Sequence, residues 1–288
     1  MYIIEADHLS LKIPQTAATS QGKDRPPKDQ HATHSWAEFA QSFRGSSLPL
    51  PSPWSELFEP LRTGSVDELV VVGQIGQSLD GRIATASGHS KYVNGPAGLV
   101  HLHKLRSLVD AVVVGVRTAL ADDPQLTVRR VAGPNPARVL IDPNGRLPTE
   151  AKLFVRDGVR RLVIVAKGTN YPSIPEVEVI ALPVNDGRIA PRTILKALAA
   201  EGFRRILIEG GANTISSFLA AGCLDRLHLI VAPIIIGSGH ASFILPPIEH
   251  ADEATRIPMR SYQLEDETLF DCDLSGQRIA VGPAKTST

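Results

Sequence analysis

Three observations place this chain in the α/β class, with a mixed, mostly parallel sheet and helices on both faces. Apolar runs such as "ELVVVGQIG" (68–76) and "DAVVVGV" (110–116) lack polar alternation, as do strands buried on both sides. Segments with helical signals lie between several of these runs. From residue 225 onward the apolar stretches follow one another without helices, which predicts antiparallel strands added at one side.

Each element follows from local sequence. Residues 1–66 read as an N-terminal extension and residues 67–288 as the α/β domain. In the extension, "TAATSQGKDRPPKDQHATHS" (16–35) is polar, Pro-containing and aperiodic, and is expected to be a poorly ordered arm. "SWAEFAQSF" (35–43) predicts a short amphipathic helix capped by Ser35, with Trp36, Phe39, Ala40 and Phe43 on one face. A Pro-rich connector (45–65) carries one more helical turn around Trp54 and Phe58. The arm is expected to pack on its own domain or on a partner subunit.

Beyond it come a strand over 68–76, a helix over 95–109 opening with Pro96, and a strand over 110–116. "ARVLID" (137–142), "RRLVIVA" (160–166) and "VEVIAL" (177–182) are strands. "PRTILKALAAEG" (191–202) is a helix ended by Gly202. "RRILIEGG" (204–211) is a strand running into the helix "ANTISSFLAAG" (212–222). "DRLHLIVAPIIIG" (225–237) reads as one long strand, and "YQLEDETLFDCDLS" (262–275) as a polar antiparallel ending.

Thirty basic residues balance thirty acidic ones, so no global field draws the chain to nucleic acid or an anionic membrane. Any bound phosphate must be held by a few local groups. Cys223 and Cys272 are far apart, which argues against a disulfide framework or zinc cage. No apolar run reaches the length of a membrane span and "MYIIEADHLSLKIPQ" has no signal-peptide pattern, so a cytoplasmic protein is expected.

Four strand-to-loop transitions are candidates for a site, because open α/β sheets bind ligands beyond the carboxyl ends of their strands. "QIGQSLDGRIATASGHSKYV" (74–93) is rich in turn formers, Gly76, Gly81 and Gly88, and in the polar groups of Ser78, Asp80 and Ser90. It reads as a ligand-wrapping segment or as a simple turn. In "ADDPQLTVRR" (121–130), Asp122 and Asp123 are adjacent, and adjacent carboxylates rarely chelate one ion, so no metal is expected. One carboxylate there suits sugar hydroxyls, and Arg129 suits an anion. "LIEGGANTISSF" (207–218) sets a glycine pair before a helix, an anion cradle built from backbone N–H groups. Glu209 beside it is out of place unless it meets a donor-bearing part of a ligand. "VAPIIIGSGHASF" (231–243) ends a strand with Gly237 and Gly239, where a plain turn is an equal reading. His101 and His103, two apart on a helix, point to different faces and are expected to be structural or solvated.

"SLDGRIATASGHSKYV", "RSLVDAVVVGVRTALADDPQLTVR", "RVLID", "LIEGGANTISSFLAAGCLDRL" and "APIIIGSG" come in an order and spacing that resembles the reductase domain of the bacterial riboflavin-biosynthesis deaminase/reductase and the stand-alone pyrimidine reductases. The resemblance runs from about residue 67 onward. It implies a dihydrofolate-reductase-like fold. It also implies NADPH-dependent reduction of the ribosyl group of 5-amino-6-(5-phosphoribosylamino)uracil to ribityl, in riboflavin biosynthesis.

By position, the resemblance assigns Ser90, Arg106, Leu126, Arg129 and Glu209 to the substrate. Arg106 and Arg129 would hold its 5′-phosphate, and Glu209 would accept from the pyrimidine. Gln77, Tyr92, Thr118, Asp122, Gly210, Gly211, Ala212, Asn213 and Thr214 would contact NADPH, with Glu209 and Asp122 as the catalytic carboxylates. Arg146 or Lys167, each just after a strand, would meet a 2′-phosphate. Relatives form homodimers through a sheet edge, and "HLIVAPIIIG" is apolar enough for that role. The chain carries no HxE followed by PCxxC, so deamination is not expected of it. Gln74 and Gln77 stand where the family commonly has lysine and alanine, and Tyr92 where it usually has tryptophan. These departures keep two alternatives open: a reductase of another heterocycle such as a pteridine, and a catalytically silent nucleotide-binding member.

Overall fold

Side chains along each strand divide between two cores, which is why the apolar runs lack alternation. Val70 and Val72 enter one core and Leu69, Val71 and Ile75 the other; Val112 and Val114 oppose Ala111 and Val113 in the same way. The structure, a computed structural model, describes residues 35–45, 50, 54–91 and 93–281; the expected disordered arm up to residue 34, and Tyr92, lie outside the described residues.

The elements are α1 (Trp36–Gly45), α2 (Ser55–Phe58), β1 (Val70–Ser78), β2 (Arg82–Thr85), α3 (Pro96–Leu108), β3 (Ala111–Gly115), α4 (Val116–Asp122), β4 (Ala137–Ile141), β5 (Arg161–Ala166), β6 (Val177–Leu182), α5 (Pro191–Ala200), β7 (Arg205–Glu209), α6 (Ala212–Ala220), β8 (Arg226–Ala232), β9 (Gly239–Ala241), β10 (Met259–Leu264) and β11 (Glu267–Asp273). Nine strands form one sheet in the order β10-β11-β8-β1-β7-β3-β4-β5-β6. From β8 to β6 every pairing is parallel, whereas β11 pairs antiparallel with both β8 and β10. Helices α1 to α4 cover one face; α5 and α6 cover the other.

Three details differ from the sequence reading. The long strand expected over 225–237 stops at Ala232, because Pro233 has no N–H to donate to a ladder. The segment 228–237 is not a sheet edge: β8 lies between β1 and β11, and β10 and β6 are the outer strands. Its exposed apolar part is the loop carrying Ile234 and Ile235. Finally, α4 and the small β2–β9 sheet are additional elements, too short to show a period in sequence.

The described residues between 35 and 61 pack into the domain. Ser35 and Glu38 form a reciprocal capping box at α1, with Glu38 N–H donating to Ser35 Oγ (3.3 Å) and Ser35 N–H to Glu38 Oε2 (2.7 Å). Phe39, Phe43, Phe58 and Leu61 are buried in the same core as Val70, Val72 and Leu105. Both tryptophans join this aromatic group, Trp36 meeting Trp54 edge-on at 5.5 Å. At the other end of the chain, buried Arg278 donates to Asp225 (3.1 Å) and lies 3.6 Å from Asp67. Asp225 in turn accepts the Val71 N–H (2.8 Å), and Asp67 the Val281 N–H (2.7 Å).

Phe39→Ala removes a ring with no exposed surface and is expected to lower stability by about 3–5 kcal/mol. Urea denaturation will show a loss well under 1 kcal/mol if α1 does not belong to the cooperative unit.

Candidate functional site

The parallel strands all present their carboxyl ends on one side, and the candidate residues collect there. Glu209 ends β7, in register with Gln74 of β1. Its carboxylate faces Arg106 on α3 in a two-pronged pair, Nε to Oε1 at 2.6 Å and Nη2 to Oε2 at 2.7 Å. Each residue is 5% exposed, so the pair is desolvated and each charge depends on the other. The third nitrogen, Nη1, donates to the Thr127 carbonyl (3.0 Å). The guanidinium therefore faces Glu209 and the backbone of the segment after α4.

That segment, residues 124–130, belongs to no ladder and is held by side chains. Leu126 is buried at φ +56°, a left-handed conformation that a branched side chain rarely adopts. Val128 N–H donates to Asn135 Oδ1 (2.7 Å), and Arg129 N–H to His103 Nδ1 (3.0 Å). The exposed Arg129 side chain donates to Thr127 Oγ1 (3.1 Å) and makes no ion pair with any described residue. Burial and the neighbouring Arg106 and Arg130 lower its pKa, with Glu209 opposing. Burial, then Arg106, Arg129 and Arg130, depress the His103 imidazole to about 4. A guanidinium at the rim that makes no ion pair with a described residue suits an anion.

Ser90 and Asp122 meet across the rim: Ser90 Oγ donates to Asp122 Oδ1 at 3.2 Å. Asp123 turns away. It caps α4 at φ +40° and pairs with Lys152 (2.9 Å), which makes it a structural residue.

The glycine pair makes the turn between β7 and α6. Gly210 has φ +116°, and a Cβ there would lie 2.9 Å from Thr118 Oγ1. Thr118 Oγ1 accepts the Gly211 N–H (2.9 Å), while the N–H groups of Thr214 and Ile215 turn back to the Gly211 carbonyl. Ala212 and Asn213 are left as the open donors of α6 among the described residues. Gly115 must lack a side chain, since a Cβ would sit 2.5 Å from Thr214 Oγ1.

Beside this turn opens a cleft of about 320 Å³ at the ends of β3 and β4, lined in part by Asn144, Arg146, Asn213, Thr214, Arg117 and Arg188. The three arginines are exposed, and none pairs with a described carboxylate. Lys167 does not line the cleft. These residues fit a dinucleotide phosphate: free N–H groups at a helix N-terminus beside unpaired guanidinium groups.

The first and fourth segments prove to be one unit. Asp80 accepts from Ser78 Oγ (2.5 Å), Ile236 N–H (3.1 Å) and Gly237 N–H (2.7 Å), and these bonds pull its pKa down to about 2. Arg82 Nε donates to the Gly237 carbonyl (3.0 Å), and β2 pairs with β9. "SLDG" is therefore a turn that carries β2 off the main sheet and clips it to the loop after β8. Gln77 lies on β1 at the root of this turn, half-buried.

Sequence reading missed His103, Asn135, Thr127, Gly115, Arg117 and Arg188 as site components. His103 had a legible signal, since it precedes Arg106 by three residues and so shares its helix face. The others are brought to the site by tertiary folding, which no local pattern announces.

The architecture is that of a dihydrofolate-reductase-like α/β reductase. The solved structure of Acinetobacter baumannii RibD superposes with a TM-score of 0.60 at 30% identity, over 75% of this chain and 59% of that one. Residues 69–268 match the RibD C-terminal domain family, and the chain belongs to that family. The 2,5-diamino-6-ribosylamino-4(3H)-pyrimidinone 5′-phosphate reductase of Methanothermobacter thermautotrophicus is 32% identical over 214 residues, 72% of this chain and 98% of that protein. The riboflavin biosynthesis protein RibD of Aquifex aeolicus is 35% identical over 165 residues, 57% of this chain and 46% of that protein. The chain thus spans nearly all of the methanogen reductase and less than half of the Aquifex protein.

Two outcomes test the site's framework. Arg106→Ala or Glu209→Ala alone should cost about 3–5 kcal/mol in urea denaturation by stranding a buried charge, with much of it recovered in an Arg106→Met/Glu209→Leu double variant. Equal costs for the single and double variants would mean the pair is not buried. Asp80→Asn should speed amide exchange at Ile236 and Gly237. In the wild type the same loosening should set in only as pH falls below 3.8 towards about 2, because the carboxyl titrates lower folded than unfolded.

Proposed function

We propose that this chain is an NADPH-dependent reductase that converts the ribosyl group of a phosphoribosylated aminopyrimidine to ribityl; its relatives' names describe reductases of a ribosylaminopyrimidinone 5′-phosphate. The observation that carries this reading is the juxtaposition, at one end of the sheet, of the Arg106–Glu209 pair, the open Arg129 and the α6 cradle. A bound nicotinamide would supply a hydride to the sugar C1′, whose bond to the ring oxygen breaks as that oxygen takes a proton. The protein's part is placement and charge rather than a nucleophile.

Arg129 holds the 5′-phosphate. Arg106 holds Glu209 in place by its two-pronged contact, so that the carboxylate accepts from donors on the pyrimidine. Asp122, hydrogen-bonded by Ser90, accepts from a sugar hydroxyl. Ala212 and Asn213 N–H groups, with Thr118 fixing the turn, take the dinucleotide phosphates. Arg146, with Arg117 and Arg188, takes the adenosine 2′-phosphate and so favours NADPH over NADH. The exposed Ile234, Ile235, Ile244 and Leu245 support a homodimer, which light scattering on the purified chain tests.

NADPH oxidation in the presence of the ribosylaminouracil phosphate, with the ribitylamino product confirmed, tests the whole reading. Oxidation of NADPH with a pteridine but not with this substrate would overturn it. Arg129→Ala should raise KM for the phosphorylated substrate 10- to 100-fold, about 1.5–3 kcal/mol, and leave KM for NADPH unchanged. Arg146→Ala should weaken NADPH binding about tenfold without weakening NADH binding. Equal losses for both cofactors would remove Arg146 from the 2′-phosphate site.

A further inference from the structure

The segment 124–130 poses a backbone question. It carries Arg129 to the rim, yet it belongs to no sheet, so its N–H groups need side-chain partners. Val128 finds Asn135; Arg129 finds His103. The His103 contact is unusual in its setting. The imidazole is buried at 2% exposure on α3, one turn before Arg106, and it sits among the three cations Arg106, Arg129 and Arg130. An imidazolium there would face three guanidinium groups and lose the lone pair that receives the Arg129 N–H. Histidine suits the position because its Nδ1 can stay an acceptor at neutral pH while Nε2 keeps the proton.

We propose that His103 is a positioning residue for anion recognition: its unprotonated Nδ1 accepts the Arg129 main-chain N–H and sets where that arginine meets a sugar 5′-phosphate. The inference rests on the reading of Arg129 as the phosphate-binding group. His103 does not touch the substrate. Its effect is confined to the phosphate end, since Arg106 meets Glu209 and Thr127 independently.

Two variants separate position from bulk. His103→Asn retains an acceptor oxygen close to the Nδ1 position; His103→Leu retains volume without an acceptor. With the phosphorylated substrate, His103→Leu should raise KM about 5- to 30-fold and leave kcat within about threefold. With the dephosphorylated substrate neither constant should move. His103→Asn should restore most of the loss. Ribose 5-phosphate, titrated calorimetrically against the same proteins, should lose affinity in the same order, and NADPH affinity should not change. In the Arg129→Ala background, His103→Leu should add nothing.

Additive losses in that background, or equal losses with and without the phosphate, would overturn the proposal. If His103→Leu fails to fold, nitrogen-15 spectra of the wild type decide: Nδ1 should be unprotonated at pH 7, and a protonated Nδ1 sinks the idea. If the wild type turns over no phosphoribosylaminopyrimidine yet binds ribose 5-phosphate, the substrate reading fails alone and the calorimetric comparison still tests His103. If the wild type does not bind ribose 5-phosphate, the role given to Arg129 falls and this proposal falls with it.

Discussion

The buried pair of Arg106 and Glu209 is the constraint on which the site depends. Each charge alone would be intolerable at 5% exposure, so α3 and β7 can pack only in the one relative position that closes the fork. That position also delivers the third guanidinium nitrogen to the Thr127 carbonyl. The loop after α4 is therefore fixed to the same reference point as the strand end. Charge pairing here acts less as a source of stability than as a measure of alignment.

A second layer of alignment comes from groups that hold backbone rather than ligand. Thr118 receives the Gly211 N–H, Glu267 receives the N–H groups of Gly95 and Gly98 at the start of α3, and Asp80 receives those of Ile236 and Gly237. Each joins elements far apart in sequence near the carboxyl ends of the strands. A site assembled from loops gains its rigidity this way, because no ladder supplies it.

How much of this was legible in sequence follows from how local each cause is. The strands β1, β3, β4, β5 and β7 and the helices α1, α3, α5 and α6 were readable because burial on both faces leaves long apolar runs and because caps such as Ser35 and Pro96 are local. Glu209 was legible as an oddity, a carboxylate beside an anion cradle, but its partner Arg106 lies about a hundred residues earlier and only the resemblance paired them with one ligand. The end of β8 at Ala232 was written in Pro233, yet the apolar "PIIIG" beyond it outweighed that proline. The clip between Asp80 and Gly237 was invisible, since both sides read as ordinary turns. Asp122 and Asp123 look alike in sequence, and only the left-handed turn at Asp123 separates the residue at the rim from the one bound to Lys152.

The place of β7 has a consequence for biosynthesis. It lies between β1 and β3, yet it emerges from the ribosome after β4, β5 and β6. Until then β1 has neither of its partner strands and β3 presents an unpaired inner edge, and the carboxylate that Arg106 needs does not exist. The last stitch comes later still, when Arg278 and Val281 reach Asp67 and Asp225. The nascent chain is thus held open at its centre for most of its synthesis, with apolar strand edges in reach of neighbours or chaperones. A stop before Arg278 would leave the sheet without its clasp.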